Sequence, residues 1–176
     1  MMYGILLNDT IILNGQNVAN GIILAIDSNS NYKWSFVGQN SYDPITSATF
    51  LGDTILASIN VTSFQVDTVS FGSHKYKTNN KTFQESVLLM LNSNNGNVIG
   101  LKHNSGTQSQ YSVSYSVAAN KDFMAIGGKF DKKMTFSGTT NYMESVSKSS
   151  GFTNSDNYFA LFDRQGNFIC EDFLYT

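Results

Sequence analysis

The sequence predicts an all-β protein of three four-stranded antiparallel repeat units, and three observations carry that prediction. One pattern occurs three times: an apolar run, an Asp or Asn, a short polar turn ending in Asn, and a second apolar run. It reads Ile22-Ile23-Leu24-Ala25-Ile26-Asp27 into Trp34, Val87-Leu88-Leu89-Met90-Leu91-Asn92 into Ile99, and Tyr158-Phe159-Ala160-Leu161-Phe162-Asp163 into Ile169. Fixed-pattern repetition of this kind usually sets an architecture. Aromatic residues make up 13% of the chain, which favours strands. No segment sustains a 3.6-residue period, and the apolar runs are short and bounded by turn formers, which favours strand over helix.

In chain order, a second pattern precedes the first in each unit. Leu6-Leu7-Asn8-Asp9-Thr10-Ile11-Ile12-Leu13, Phe50-Leu51-Gly52-Asp53-Thr54-Ile55-Leu56-Ala57 and Ala118-Ala119-Asn120-Lys121-Asp122-Phe123-Met124-Ala125 each read as strand, tight Asp-bearing turn, strand. The strand entering the last of these alternates Tyr111, Val113, Tyr115 and Val117 with Ser112, Ser114 and Ser116, a period of two. Each unit is then two hairpins, over about residues 1–40, 41–104 and 105–176 of one repeat-built domain. The third strand of each unit is apolar on both faces, so each sheet is expected to be covered on both sides. Between the second and third strands the first unit has only a short link, Asn17-Val18-Ala19-Asn20. The others carry long inserts, 61–85 and 129–156, where binding loops are expected.

Composition narrows the function classes. The formal charge is −2, and no basic cluster exceeds Lys132-Lys133, which argues against nucleic-acid binding. The charged fraction is 14%, so solubility rests on Asn, Ser, Thr and Gln, a pattern expected of extracellular or cell-surface β proteins. Cys170 is the sole cysteine and permits no intrachain disulfide. No stretch approaches the length of a membrane span, and Met1–Leu7 lacks the marks of a signal peptide, so export would need a signal outside this sequence.

Gly128-Lys129-Phe130, Met134-Thr135-Phe136-Ser137-Gly138 and Asp156–Ile169 together resemble the bacterial β-propeller repeat called SBBP. Val69-Ser70-Phe71-Gly72 with Asn92–Val98 matches more loosely, and the first unit keeps only its final hairpin, with Trp34 where that family often has tryptophan. The resemblance implies propeller-like blades in large secreted or surface proteins and brings no shared catalytic residues. Three blades fall short of the roughly four to eight of a closed propeller. A partial or open propeller, or two copies combining, is therefore expected.

Candidate chemistry is sparse. Asp27, Asn29 and Asn31 space oxygens like the start of a calcium loop, but Tyr32 and Gly38 stand where the loop needs Gly and an acid. A structural turn is the simpler reading, and no cofactor is expected. His74 and His103 are the only histidines and lie in no ligand-spaced cluster. Binding, if any, is assigned to Trp34, Phe71, His74, Tyr76, Phe136, Tyr142 and Phe152. Asn60-Val61-Thr62 and Asn80-Lys81-Thr82 match glycan-acceptor triplets. The function expected is a non-enzymatic structural or binding module with a protein or glycan ligand, able to self-associate and without membrane insertion. The alternatives are a glycan-active enzyme on a propeller scaffold and a phage or appendage subunit.

Overall fold

The computed structural model describes residues 2–6, 11–13, 16–18, 22–27, 29, 31–37, 45–62, 68–78, 84–104, 112–131, 133–136, 143–144 and 155–174. Every regular element among them is a β-strand. The first unit runs β1 (Met2–Leu6), β2 (Ile11–Leu13), β3 (Gln16–Val18), β4 (Ile22–Ile26) and β5 (Tyr32–Val37). The second runs β6 (Ile45–Leu51), β7 (Thr54–Thr62), β8 (Thr68–Phe71), β9 (His74–Lys77), β10 (Gln84–Asn92) and β11 (Val98–His103). The third runs β12 (Ser112–Ala119), β13 (Phe123–Phe130), β14 (Lys133–Met134), β15 (Met143–Glu144), β16 (Asp156–Asp163) and β17 (Phe168–Leu174).

The strands form two four-stranded antiparallel sheets, β11-β10-β7-β6 and β12-β13-β16-β17, and a three-stranded sheet, β1-β4-β5. Three two-stranded ribbons interrupt the sheets along the chain: β2-β3 falls between the first and second strands of the first sheet, and β8-β9 and β14-β15 between the second and third strands of the other two. This corrects the expected first unit. Leu6 and Ile11–Leu13 do not form a hairpin: Met2–Leu6 pairs directly with β4, and Ile11–Leu13 turns back onto Gln16–Val18. In sequence, Asp9-Thr10 before Ile11–Leu13 matches Asp67-Thr68 before Val69-Ser70-Phe71, and Ile11–Leu13 and Thr68–Phe71 are each the first strand of a ribbon. The misreading is physical in origin, because Asp-Thr before an apolar run suits either turn. Asp9 itself lies outside the described residues.

The long inserts are also more than loops. Val69, Phe71 and Tyr76 of the second ribbon and Met134 and Phe136 beside the third are buried in the core. Phe71 lies 6.4 Å from Phe36 of the first sheet, and Phe136 lies 5.7 Å edge-on to Phe162. The second ribbon, and Met134 of the third, thus pack apolar side chains into the interior.

The three sheets stack face against face. Ile23, Ala25 and Trp34 of the first sheet share a core with Ile55, Ala57, Ile59, Val87, Leu89 and Leu91 of the second. The other face of the second sheet, Leu56 and Leu88, shares a core with Met124, Ile126, Tyr158, Ala160 and Phe162 of the third. Alternation along β7 and β10 sends neighbouring residues to opposite cores, so the both-faces-apolar reading holds for the second sheet. It does not hold for the third: Phe159 and Phe123, on the face turned away from the stack, are each 41% exposed.

Polar clasps fasten the second sheet to the third. Buried Asn60 donates from Nδ2 to the Ser114 carbonyl at 3.0 Å, and its Oδ1 accepts from Ser114 N–H at 2.7 Å and Ser114 Oγ at 2.9 Å. The backbone N–H of Ser86 donates to Ser112 Oγ at 3.1 Å, and that of Val117 donates to Ser47 Oγ at 3.2 Å. Asn60 is only 4% exposed, so the Asn60-Val61-Thr62 triplet offers no acceptor amide in the folded chain. Asn80-Lys81-Thr82 lies outside the described residues.

One irregularity occurs at the same place in all three sheets. A β-bulge interrupts the last hairpin so that Ala25 pairs with Trp34, Met90 with Gly100, and Leu161 with Cys170. The extra residue is Lys33, Ile99 or Ile169, each exposed, as expected of a residue looped out of a ladder. A matching bulge at the first hairpin throws Thr46 and Tyr115 out of register. At Gly128, beside the second of these, a Cβ would stand 1.9 Å from the Val113 carbonyl oxygen, so only glycine fits.

Candidate functional site

The turn that closes each last hairpin is built by its leading acid or amide. Asp27 Oδ1 accepts from the backbone N–H of Asn29 and of Asn31, both at 2.9 Å, and Asn31 Nδ2 donates to Oδ2 at 3.2 Å. Lys33 Nζ stands 3.3 Å from the same Oδ2. The backbone hydrogen bond from Asn31, the largest cause, holds the Asp27 carboxyl down at about 2. Asp163 repeats the device: Oδ1 accepts from Asn167 N–H at 2.7 Å and Oδ2 from Asn167 Nδ2 at 2.8 Å, which lowers its pKa. Asn92 keeps a neutral version, with Oδ1 accepting from Asn94 N–H at 2.8 Å. Asp27, Asn29 and Asn31 thus form an Asx-type turn in which both carboxylate oxygens are already engaged.

The aromatic candidates distribute unevenly. Trp34, Phe71, Tyr76 and Phe136 are each at most 7% exposed and pack in the two cores. Tyr76 stacks on His103 at a centroid distance of 4.2 Å, and burial lowers the His103 pKa. Tyr142 and Phe152 lie outside the described residues. Of the five described candidates, His74 alone lines the cleft shared by Lys102 and Arg164.

That cleft, of about 560 Å³, opens between the second and third sheets, at the edge formed by β11 and beside the second ribbon. The turn after β16 walls its far side with Arg164 and Gln165. Its cations are Lys75, Lys102 and Arg164, with His74 beside them, and no carboxylate lines it. Leu51, Met90 and Met124 form its apolar floor. Two turns meet here. A Cβ built on Gly52 would stand 3.4 Å from Arg164 Nη2, and one on Gly166 would stand 3.2 Å from Lys102 Cε. Among the described residues no ion pair engages Lys75, Lys102 or Arg164.

The cleft has a counterpart that is closed. Between the first and second sheets, Trp34 lies over the β10–β11 turn, with its indole N–H donating to the Ser93 carbonyl at 3.0 Å. A Cβ on Gly96 of that turn would fall 2.4 Å from the indole ring. Gly100 occupies the Trp34 position of the second sheet, and Gly166 occupies the Gly96 position of the third. Where the first interface has an indole over a glycine turn, the second has Met90 and Lys102 over Gly166, and the cleft lies beside them. Sequence reading found His74 but passed over Gly100, Lys102 and Arg164. The signal was the Trp34/Gly100/Cys170 column, hidden because each bulge shifts the count by one.

The described residues define an antiparallel β protein of stacked sheets with a polar, cation-lined opening between the second and third. Comparison with models of known protein families gives no match, and comparison with curated proteins gives none.

Proposed function

We propose that the chain is a non-enzymatic, propeller-like module of a bacterial extracellular or surface protein that associates head-to-tail with further copies of itself. One observation carries this reading. The face of the first sheet bearing Ile23 and Ala25 packs on the second sheet, and the equivalent face of the second, bearing Leu88, packs on the third. The equivalent face of the third sheet, bearing Phe159, Leu161 and Phe123, is open. At the other end of the stack, Leu24 and Ile26 of the first sheet are half-buried at positions matching Ala160 and Phe162. Each open face therefore has the partner that the two internal interfaces already use. Apolar sheet faces of this kind mark interaction surfaces. A face that meets a different face is a heterologous contact, which closes into a ring or runs on as a filament.

The blade-like order of the sheets and the SBBP-type resemblance support a propeller-like arrangement, and the low-charge surface supports an extracellular setting. Sedimentation equilibrium tests the association. The wild-type chain is expected to exceed monomer mass with rising concentration, and the variant Phe123→Glu/Phe159→Glu is expected to remain monomeric. A wild-type chain that stays monomeric throughout would overturn the proposal.

A further inference from the structure

We infer that the cleft at Gly100 is a binding site for a small molecule carrying an oxyanion (phosphate, sulfate or carboxylate) on a flat ring. At the same cross-strand position the first sheet pairs Ala25 with Trp34, and the second pairs Met90 with Gly100. Trp34 fills its interface and caps the Ser93 carbonyl. In the second sheet the larger residue has moved to the neighbouring strand and the indole is gone. Met90 and Lys102 lean towards Gly166, and the remainder is a cleft of about 560 Å³. That volume suits a small ligand.

The charges select the ligand. The chain is net acidic, with 13 acidic against 11 basic residues, yet the cleft gathers three of those bases and no acid. They come from three separate elements: Lys75 from β9, Lys102 from β11 and Arg164 from the turn after β16. A cleft lined by one sign of charge concentrates counter-ions of the other sign. Arg164 supplies a planar fork suited to two oxygens of one anion, and Lys75 and Lys102 supply point charges. Leu51, Met90 and Met124 add apolar surface to the same cleft. An oxyanion alone would leave that surface uncovered, and an uncharged ring would leave the cations unpaired, so the ligand carries both parts.

Titration of the full chain with phenyl phosphate and phenyl sulfate, followed by amide chemical shifts and calorimetry, tests this inference, with benzyl alcohol as the uncharged control. Saturable binding is expected, with shifts centred on Lys102, Arg164 and Gln165. The partly exposed pair Lys102→Gln/Arg164→Gln should fold normally and bind about tenfold more weakly or worse, as loss of charge-assisted hydrogen bonds implies. Gly100→Trp should seat an indole over Gly166, as Trp34 sits over Gly96, and abolish binding. The inference is overturned if neither anion binds saturably, if the double variant binds as the wild type does, or if benzyl alcohol binds as tightly as phenyl phosphate. Association of copies through the outer faces plays no part in this readout, so either reading can fail alone.

Discussion

At the scale of single residues, glycines and turn acids decide where the chain can go. Gly96 has φ +73° and lies under the Trp34 ring. Gly96→Ala would impose a strained backbone and push the indole off, and it should cost about 1–3 kcal/mol. Trp34 is the sole tryptophan, so its fluorescence should shift to the red in the same variant as the ring leaves its 7%-exposed setting. The turn acids govern acid stability. Their folded pKa values are depressed, so the stabilisation they give is complete above the ordinary carboxylate range. It is lost as pH falls towards about 2, the value held by Asp27. His103 acts earlier: burial lowers its pKa, so protonation below the ordinary histidine range opposes folding. Urea midpoints against pH should therefore fall in two steps, and Asp163→Asn should shrink the lower one. A single flat profile down to pH 3 would contradict this assignment.

At the scale of elements, the sheets are held by matched faces and by a few buried polar clasps. Asn60→Ala would strip the Ser114 N–H and hydroxyl of their buried acceptor and should destabilise the fold by roughly 2–3 kcal/mol. Denaturant unfolding measures it, and Asn60→Asp, which keeps the acceptor but buries a charge, should be worse. The strands of the second unit were legible in the sequence, because Leu88 and Leu89 show their pattern in the residues alone. Along β12 the period-two reading fails past Ser114: the bulge at Tyr115 leaves that ring exposed, sends Val113 and Val117 to opposite faces, and buries Ser112 and Ser114. The first unit was not legible. Asp9-Thr10 imitates the Asp53-Thr54 turn, and only pairing of β1 with β4 separates the two. The ribbons were read as loops because four-residue strands with one apolar face, such as Thr68–Phe71, carry too short a period to distinguish. The cleft was legible only at His74, since a glycine signals a missing side chain only when its repeat partner is known.

At the scale of the whole molecule, three sheets stack in one sense, with Phe123 and Phe159 exposed at one end and Leu24 and Ile26 half-buried at the other. Contacts inside the chain already show how such faces meet, with residues of one parity against residues of the other. Cys170 stands on the open face of the third sheet, paired with Leu161, and is exposed. It is a built-in reporter of the proposed head-to-tail association. The most direct test is the rate at which a thiol reagent modifies Cys170 as protein concentration rises. The rate per chain should fall in step with the growth in sedimenting mass, and Phe123→Glu/Phe159→Glu should abolish the dependence. A rate that is constant while mass increases would show that copies meet elsewhere and contradict the proposed pairing of faces.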